Sequence, residues 1–469
     1  MRLANSYANL PGRFYAPIRP DPAPQPVLLA WNDELAAELG LQSIAGDGLA
    51  QLYSGTALPP GATPIALAYA GHQFGHFVPQ LGDGRAVLLG EVVTDGGRRY
   101  DIQLKGSGRT PFSRGGDGRS WLGPVLREYL VSEAMHSLGV PTTRALAAVA
   151  TGATVYREAA LPGAVFTRVA ASHLRVGTFE FFAARHDVDA LTTLLDYAIE
   201  RHYPDAAGAG QPCVAFLEAV MRRQAALIAG WMSVGFVHGV INTDNTSIAG
   251  ETLDYGPCAF LDEFSFDKVF SSIDRHGRYA YGNQPAIAVW NLARLADCLR
   301  LIDDAQPEFE AVLNGFDREY RRCYLDRMRP KLGLVVAGTD DADLVDAWLR
   351  HLDANDLDYT RSFRRLAARL SADEAGEFGE FELRWRQRLR RQAAGDDAIV
   401  ATMNSANPVF IPRNHRIEEA IRAAVDGDLA PFRTLHEVLT TPFDEQPEHR
   451  ALAEPPQPHE RVTQTFCGT

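Results

Sequence analysis

Cysteine is scarce in this chain and never clustered. The five residues Cys213, Cys258, Cys298, Cys323 and Cys467 form no C-x-x-C pair, which argues against the common zinc and thioredoxin-like signatures. A sparse, odd-numbered set suits a reducing compartment. Cys467 is third from the end and reads as a solvated thiol on a tail. Long apolar runs are missing too. No stretch approaches the roughly 20 residues that a membrane-spanning helix needs. The opening MRLANSYANLPGRFYAPIRP lacks the apolar centre of a secretory signal. A cytoplasmic location without a membrane partner is therefore expected. Positive charge is in deficit: 46 Lys and Arg against 59 Asp and Glu give a net charge of −13. A general nucleic-acid binder needs a basic surface to neutralise phosphates. Nucleic acid is not an expected partner, while a local basic pocket for a nucleotide remains compatible.

With 469 residues, 46% hydrophobic and 22% charged, the chain has room for two or three lobes with full cores. The first 60 residues are rich in proline and carry one helical pattern, WNDELAAELGL, with Asn32 or Asp33 as its cap. Between about Ile65 and Leu104, RAVLLGEVV and RRYDIQLK have strand length and are bounded by Gly-Asp or Asp-Gly pairs. A loop with five glycines, GSGRTPFSRGGDGRS, leads into WLGPVLREYLVSEAMHSLG. There Leu122, Leu126, Tyr129, Leu130 and Ala134 share one helical face, and Gly139 and Pro141 end the helix. Beyond about residue 186 the pattern is mostly helical, including 340–395 and 415–440, and the acidic, proline-bearing tail reads as extended. The expected fold is α+β: a protein-kinase-like bilobal fold with a small strand-rich N-lobe, a large helical C-lobe and extended terminal segments. The corresponding boundaries are 1–60 for the N-terminal extension, 61–160 for the N-lobe, 161–400 for the C-lobe and 401–469 for a C-terminal helical segment and tail.

One carboxylate is absent where its surroundings call for it. Residues 235–257 read GFVHGVINTDNTSIAGETLDYGP. A protein kinase writes this region as His-Arg-Asp, four residues, Asn, and later Asp-Phe-Gly. His238 and Asn245 keep the kinase offset, and Asp254-Tyr255-Gly256 can stand for the metal-binding triplet. The position of the catalytic aspartate is Val240, and the nearest carboxylate is Asp244. Asn245 and Asp254 offer hard oxygen ligands that suit Mg2+ together with nucleotide phosphates. Asp244 could take a proton. His238, in the apolar run VGFVHGVI, reads as structural.

The upstream residues supply what a phosphate site needs. Gly82-Asp83-Gly84-Arg85 lies at a turn just before a strand, where glycines let backbone N–H groups approach phosphates. Taken alone, GDG is an ordinary hairpin turn. Lys105 ends the strand YDIQLK, where a kinase-like N-lobe places its phosphate-binding lysine. Its partner is Glu128 or Glu133, and periodicity favours Glu133 as the inward one. Asp117 and Gly118 sit in the glycine-rich loop. Arg168 and Arg175 are seven apart; on a continuous helix they would share a face, although Gly177 shows that the segment ends there, and they could converge on a polyphosphate.

The blocks YAGHQFGHFVPQLGDGRA, QLKGSGRTPFSRGGDGRS, REYLVSEAMHSLGVPTTRALA, GVINTDNTSI, DYGP and FIPRN together resemble the selenoprotein O family, called YdiU in bacteria. The resemblance runs from LPGRFYAPIRP to the terminal cysteine. It implies a kinase-like fold that transfers AMP from ATP to Ser, Thr or Tyr hydroxyls of proteins, releasing pyrophosphate, with Mg2+ or Mn2+. By position, Gly82, Gly84, Arg85, Lys105, Asp117, Gly118, Arg168 and Arg175 would contact the nucleotide. Asn245 and Asp254 would hold the metal, and Asp244 would accept the proton. The family's lysine partner aligns with Glu128 rather than Glu133. ATP in the family lies flipped relative to a kinase, with the γ-phosphate buried and the α-phosphate facing the hydroxyl, so no base is needed where Val240 stands. Members with a redox pair join the C-terminal cysteine to one in the segment after the metal-binding Asp. Here Cys467 matches the first, and Phe270 occupies the other position. A monomer is expected. Competing readings are a UTP-using uridylyltransferase, a γ-phosphate transferase and a silent nucleotide-binding scaffold.

Overall fold

The computed structural model describes residues 3–41, 46–371 and 376–465; Cys467 lies outside them. The first strands are β1 (Tyr15–Pro17), β2 (Val27–Trp31), β3 (Ile65–Leu67), β4 (Gly71–Gln73), β5 (His76–Val78) and β6 (Ala86–Val93). They are followed by β7 (Arg99–Lys105), β8 (Ser120–Trp121), β9 (Arg144–Tyr156) and β10 (Ala160–Ala170). One antiparallel sheet runs β1-β3-β6-β7-β10-β9-β2, with β8 paired to β10. β4 and β5 form a separate hairpin.

The sheet is covered on both faces, which explains why AVLLGEVV is a continuous apolar run rather than an alternating one. On one face Leu89, Ile102, Leu104 and Val165 pack with Leu35, Leu39 and Tyr53. Leu35 belongs to helix α1 (Asp33–Glu38), Leu39 caps its C-terminus, and Tyr53 ends α2 (Gly46–Tyr53). Asn32 caps α1, its side chain accepting from the Leu35 N–H at 2.9 Å. Leu88, Phe166 and Ala148 face the other way, into the core shared with α3 (Leu122–Ser137). The sheet thus takes two strands from the first 60 residues. β10 carries it to Ala170, beyond the boundary at residue 160 read from the sequence.

Next come α4 (Val176–Ala183), α5 (Val188–His202) and α6 (Pro212–Ser233), then the short strands β11 (Phe236–Val237) and β12 (Ala259–Phe260). These two strands pair antiparallel and bracket the loop that carries Val240, Asp244, Asn245 and Asp254. The helical region continues with α7 (Gln284–Leu299), α8 (Gln306–Asn314), α9 (Phe316–Lys331), α10 (Asp341–Ala354) and α11 (Tyr359–Ala368). It closes with α12 (Gly379–Leu389), α13 (Asp396–Ala406), α14 (Asn414–Val425) and α15 (Ala430–Thr440). The whole is a strand-rich N-terminal lobe followed by a large helical lobe, the bilobal kinase-like arrangement. Among the described residues no helix is long and apolar enough to cross a membrane.

α14 and α15 return to pack on α3 from the side away from the sheet. α3 is therefore enclosed all round, and Arg127, Glu128 and Glu133 are all buried with its apolar residues. No polar stripe remains on it to tell inward from outward.

Lys331, the last residue of α9, is buried with its Nζ 4.4 Å from the centroid of the Phe363 ring. Burial pushes its ammonium down to about 7. Unfolded lysine titrates near 10.4, so between these values the unfolded chain binds more protons and stability rises with pH. Lys331→Met should stabilise the protein by on the order of 2 kcal/mol at pH 6. The advantage should shrink as pH rises from 7 towards 10, and urea melts at pH 6 and pH 9 measure it.

Candidate active site

β7 ends on Lys105 because the strand must leave the sheet at Gly106, whose φ is +95°. Lys105 Nζ donates to Glu128 Oε2 at 2.6 Å and also to Asp254 Oδ1. From the adjacent β10, Arg168 Nη1 donates to Asp254 Oδ1 at 3.0 Å and to Glu128 Oε1 at 3.3 Å. Its Nη2 and Nε hold Gln103 Oε1 at 2.7 and 3.2 Å. Arg175 Nη1 lies 3.5 Å from Asp254 Oδ2. Glu133, the choice of the helical wheel, turns the other way. It accepts from Arg144 at 2.9 and 2.8 Å, from Asn32 at 2.7 Å and from the Ala145 N–H at 2.8 Å. The two arginines converge on the cluster without sharing a helix. Arg168 lies on a strand and Arg175 is the N-cap of α4, so the turn between them, not a common helix, makes them converge.

Asp254 sits at φ +66°, a left-handed backbone that a non-glycine residue adopts at a cost. Burial alone would raise its carboxyl, but Lys105, Arg168 and Arg175 together hold it well below the ordinary carboxylate range. His238 fixes the loop beneath. Burial pushes its imidazole down to about 4, and the neutral ring donates from Nε2 to the Leu253 carbonyl at 2.9 Å. Val240 N–H faces its Nδ1 at 3.4 Å.

Asp244 lies in a one-turn 3-10 helix, Thr243–Asn245. Burial pushes its carboxyl up to about 6, against the opposing pull of the Gln73 hydrogen bond and of Arg175. Oδ2 accepts from Gln73 Nε2 at 3.1 Å, whereas Oδ1 is buried with no hydrogen-bond partner among the described residues. Arg175 binds the loop through its backbone, Nη1 donating to the Asp244 carbonyl at 2.6 Å. Arg175 Nε is also buried and unpartnered. An orphan acceptor and an orphan donor in one buried site are the kind of polar vacancy that a bound molecule satisfies.

The β4–β5 hairpin covers this loop. His72 N–H donates to Thr243 Oγ1 at 2.7 Å, Phe74 N–H donates to Asn242 Oδ1 at 3.1 Å, and Tyr279 OH donates to the same oxygen at 2.5 Å. Glu180 of α4 accepts from Thr243 Oγ1 at 2.5 Å and meets His72 Nδ1 at 2.5 Å. A Cβ on Gly71 would fall 2.6 Å from Asp244 Oδ1, so only glycine lets the hairpin lie this close. The sequence reading assigned no role to Gln73, Asn242, Thr243, Glu180 or Tyr279. For Gln73 the signal was the block YAGHQFGHFVPQLGDGRA, and for Asn242 and Thr243 the block GVINTDNTSI, both read only as part of a resemblance; Glu180 and Tyr279 lie in no such block.

Gly82, Gly84 and Arg85 form the turn into β6. It is not a hairpin: Asp83 is buried in it, its carboxylate accepting from the Leu67 N–H and from Gln103 at 3.1 Å each. A Cβ on Gly82 would meet the Phe112 ring at 2.3 Å, so the 110–113 loop imposes glycine here. Asp117 and Gly118 stand apart from the cluster. Arg157 grips the Asp117 carboxylate at 2.8 and 3.0 Å, and that hydrogen bonding lowers its pKa. Gly118 packs on the Gly108 backbone.

A cavity of about 470 Å³ opens from the cluster. Arg85, Lys105, Glu128 and Asp254 line its inner end, and α14 and the 459–465 tail line the outer wall. Thr465 pins that tail, donating from N–H to the Phe270 carbonyl at 2.8 Å and from Oγ1 to the Pro257 carbonyl at 2.6 Å.

A divalent metal fits the donor chemistry of Asn245 and Asp254. Asn245 Nδ2 is committed to the Val240 carbonyl at 3.0 Å, which leaves its Oδ1 as the remaining acceptor. Asp254 Oδ2 has only the 3.5 Å contact with Arg175. Among the described residues no group of three His, Cys, Asp or Glu side chains gathers to form a complete cage. Two oxygen ligands suit an ion that completes its shell with phosphates and water.

A family model for the protein adenylyltransferase SelO matches residues 1–440. The chain belongs to this family. A protein nucleotidyltransferase YdiU of Agrobacterium fabrum is 55% identical, with 100% of both chains covered. Its counterpart in a Bradyrhizobium species is 57% identical over 99% of this chain and 98% of the relative. In Rhizobium meliloti the figures are 55%, 100% and 99%. SelO membership gives the kinase-like frame and the shifted carboxylate a common context: protein nucleotidyl transfer, with ATP and proteins as substrate classes.

Asp254 is the anion that three buried cations share. Removing it should destabilise the nucleotide-free protein by on the order of 3 kcal/mol, because unpaired buried charge is left behind. Urea unfolding of Asp254→Ala measures this, and adding Lys105→Met should recover part of the loss.

Proposed function

We propose that the chain transfers AMP from ATP to Ser, Thr or Tyr hydroxyls of proteins. The observation that carries this reading is the displaced carboxylate: Val240 where a kinase keeps its base, and Asp244 buried beside Asn245 with a free Oδ1. The substrate hydroxyl gives its proton to Asp244. Its oxygen bonds to the α-phosphorus as the bond to the bridging oxygen breaks, and pyrophosphate leaves. Lys105, Arg168 and Arg175 hold the negative charge of the phosphates, with the γ-phosphate at the buried end. Gly82, Gly84, Arg85, Asp117 and Gly118 are assigned to the nucleotide through the resemblance. Glu128 fixes Lys105. Asn245 and Asp254 would hold Mg2+ or Mn2+, which supplies charge neutralisation on the phosphates. Positioning and neutralisation together account for most catalysis of in-line displacement. The protein acts as a cytoplasmic monomer, with neither nucleic acid nor membrane as partner.

ATP labelled at the α or the γ position separates the readings. Label from α but not γ should appear on protein, with pyrophosphate released. Protein label from γ with no AMP adduct would overturn the proposal, and no label from either would favour a silent scaffold. A parallel arm with α-labelled UTP and Mn2+ reads the base preference. Lys105→Ala and Asp254→Ala should each lower transfer by about 10²-fold or more.

Arg168→Lys and Arg175→Lys should weaken ATP more than AMP, because an ammonium does not reproduce a two-pronged guanidinium contact. Calorimetric affinities for both nucleotides test this. Equal losses would remove these arginines from the terminal phosphate.

A further inference from the structure

The surface beside Asp244 carries charge opposite to that of the molecule. A groove of about 520 Å³ lies between the tip of the β4–β5 hairpin, the segment 273–278 and the start of α7. Phe74 forms part of its wall and follows Gln73, whose side chain holds Asp244, so the groove runs along the hairpin that covers the candidate proton acceptor. His76, Arg275 and His276 line it and are exposed, Arg278 is half-buried, and Ile273 is 66% exposed. Among the described residues neither Arg275 nor Arg278 pairs with a carboxylate.

The acid in the groove does not neutralise them. Asp274 is buried, and its two oxygens accept from the backbone N–H groups of Arg278 and Tyr279 at 2.9 and 2.8 Å. The Arg278 guanidinium is held 4.7 Å from the Trp290 ring centroid, close against Gly75, with Nε buried and unpartnered. It is thus fixed in place. In a chain of net charge −13, two arginines without a carboxylate partner among the described residues form a local field of the opposite sign beside the candidate base. Such a field selects partners by charge. The exposed Ile273 adds an apolar contact within the same groove.

We infer that this groove seats the acceptor segment of the protein substrate, and that the segment carries carboxylates next to the hydroxyl that is modified. The inference rests on the transfer reading and adds the substrate class. An acidic flank meets Arg275 and Arg278, an apolar residue covers Ile273, and the hydroxyl reaches Asp244 at the Gln73 end.

Two peptide sets test it, identical except for Glu or Gln at the positions flanking a central Ser, Thr or Tyr. Fluorescence anisotropy reads binding, and α-labelled ATP reads transfer. The wild-type protein should bind the Glu set about tenfold more tightly and transfer to it with correspondingly higher kcat/KM. The preference should fall as salt rises. Arg275→Glu should abolish it, and Arg275→Lys should keep it. ATP affinity and Tm, unchanged in both variants, certify the fold. Equal binding of the two sets, or a preference untouched by Arg275→Glu, overturns the proposal. So does a short single-stranded RNA that binds the groove more tightly than the Glu peptides. Equal labelling of both sets would remove the docking surface and leave transfer standing. A Glu preference in binding without α-label on any peptide would keep the docking surface and remove transfer.

Discussion

Three cations and two carboxylates share one buried cluster between the lobes, and the functional geometry hangs on it. Lys105 and Arg168 come from neighbouring strands, Arg175 from the start of α4, Glu128 from α3 and Asp254 from the loop between β11 and β12. β7, β10 and the start of α4 meet at Asp254, and α3 joins them through the bonds of Glu128 to Lys105 and Arg168. Asp83, buried in the turn before β6, adds a third carboxylate 3.9 Å from Arg175, so the three cations are matched in number. Burying such a set is costly unless every charge is matched, which is why the loss of one member is felt by the rest.

How much of this could be read from the sequence differs from residue to residue. The shift from Val240 to Asp244 is a matter of spacing, and it was legible. So was the strand end at Lys105, because an apolar run stops there at a glycine. The choice between Glu128 and Glu133 was not. A helical wheel assumes one solvent face, and α3 has none, since the sheet covers one side and α14 and α15 the other. How the arginine pair converges was not legible, for a related reason. Spacing of seven fits a helix, but Arg168 is in β10, whose pairing with β7 and β9 is a long-range decision that no local window contains. The hairpin over Asp244 left no periodic trace, because its bonds to Thr243 and Asn242 run through backbone N–H groups available to any residue.

The C-terminal segment shows the same mixture. It reads as a polar, proline-rich tail, and much of it is extended, yet it forms a wall of the cavity at the cluster. Thr465 ties it to Pro257 and Phe270, on the stretch that follows Asp254. Phe270 is the position at which the family's redox pattern would place a cysteine. Here its carbonyl, not its side chain, receives the tail. The described contact between tail and loop is thus made by hydrogen bonds, which do not depend on the redox state of either partner.

The β4–β5 hairpin belongs by chain order to the strand-rich lobe, but its bonds are to the helical one: Thr243, Asp244, Asn242 and Tyr279. A hinge rotation that parts the lobes must either break these bonds or leave the hairpin behind on the far side. In the first case Gln73 leaves Asp244 as the cleft opens. In the second, the segments flanking the hairpin absorb the whole displacement. Only in the first case does opening of the cleft change the surroundings of Asp244, the proposed proton acceptor; in the second Gln73 stays bound to it.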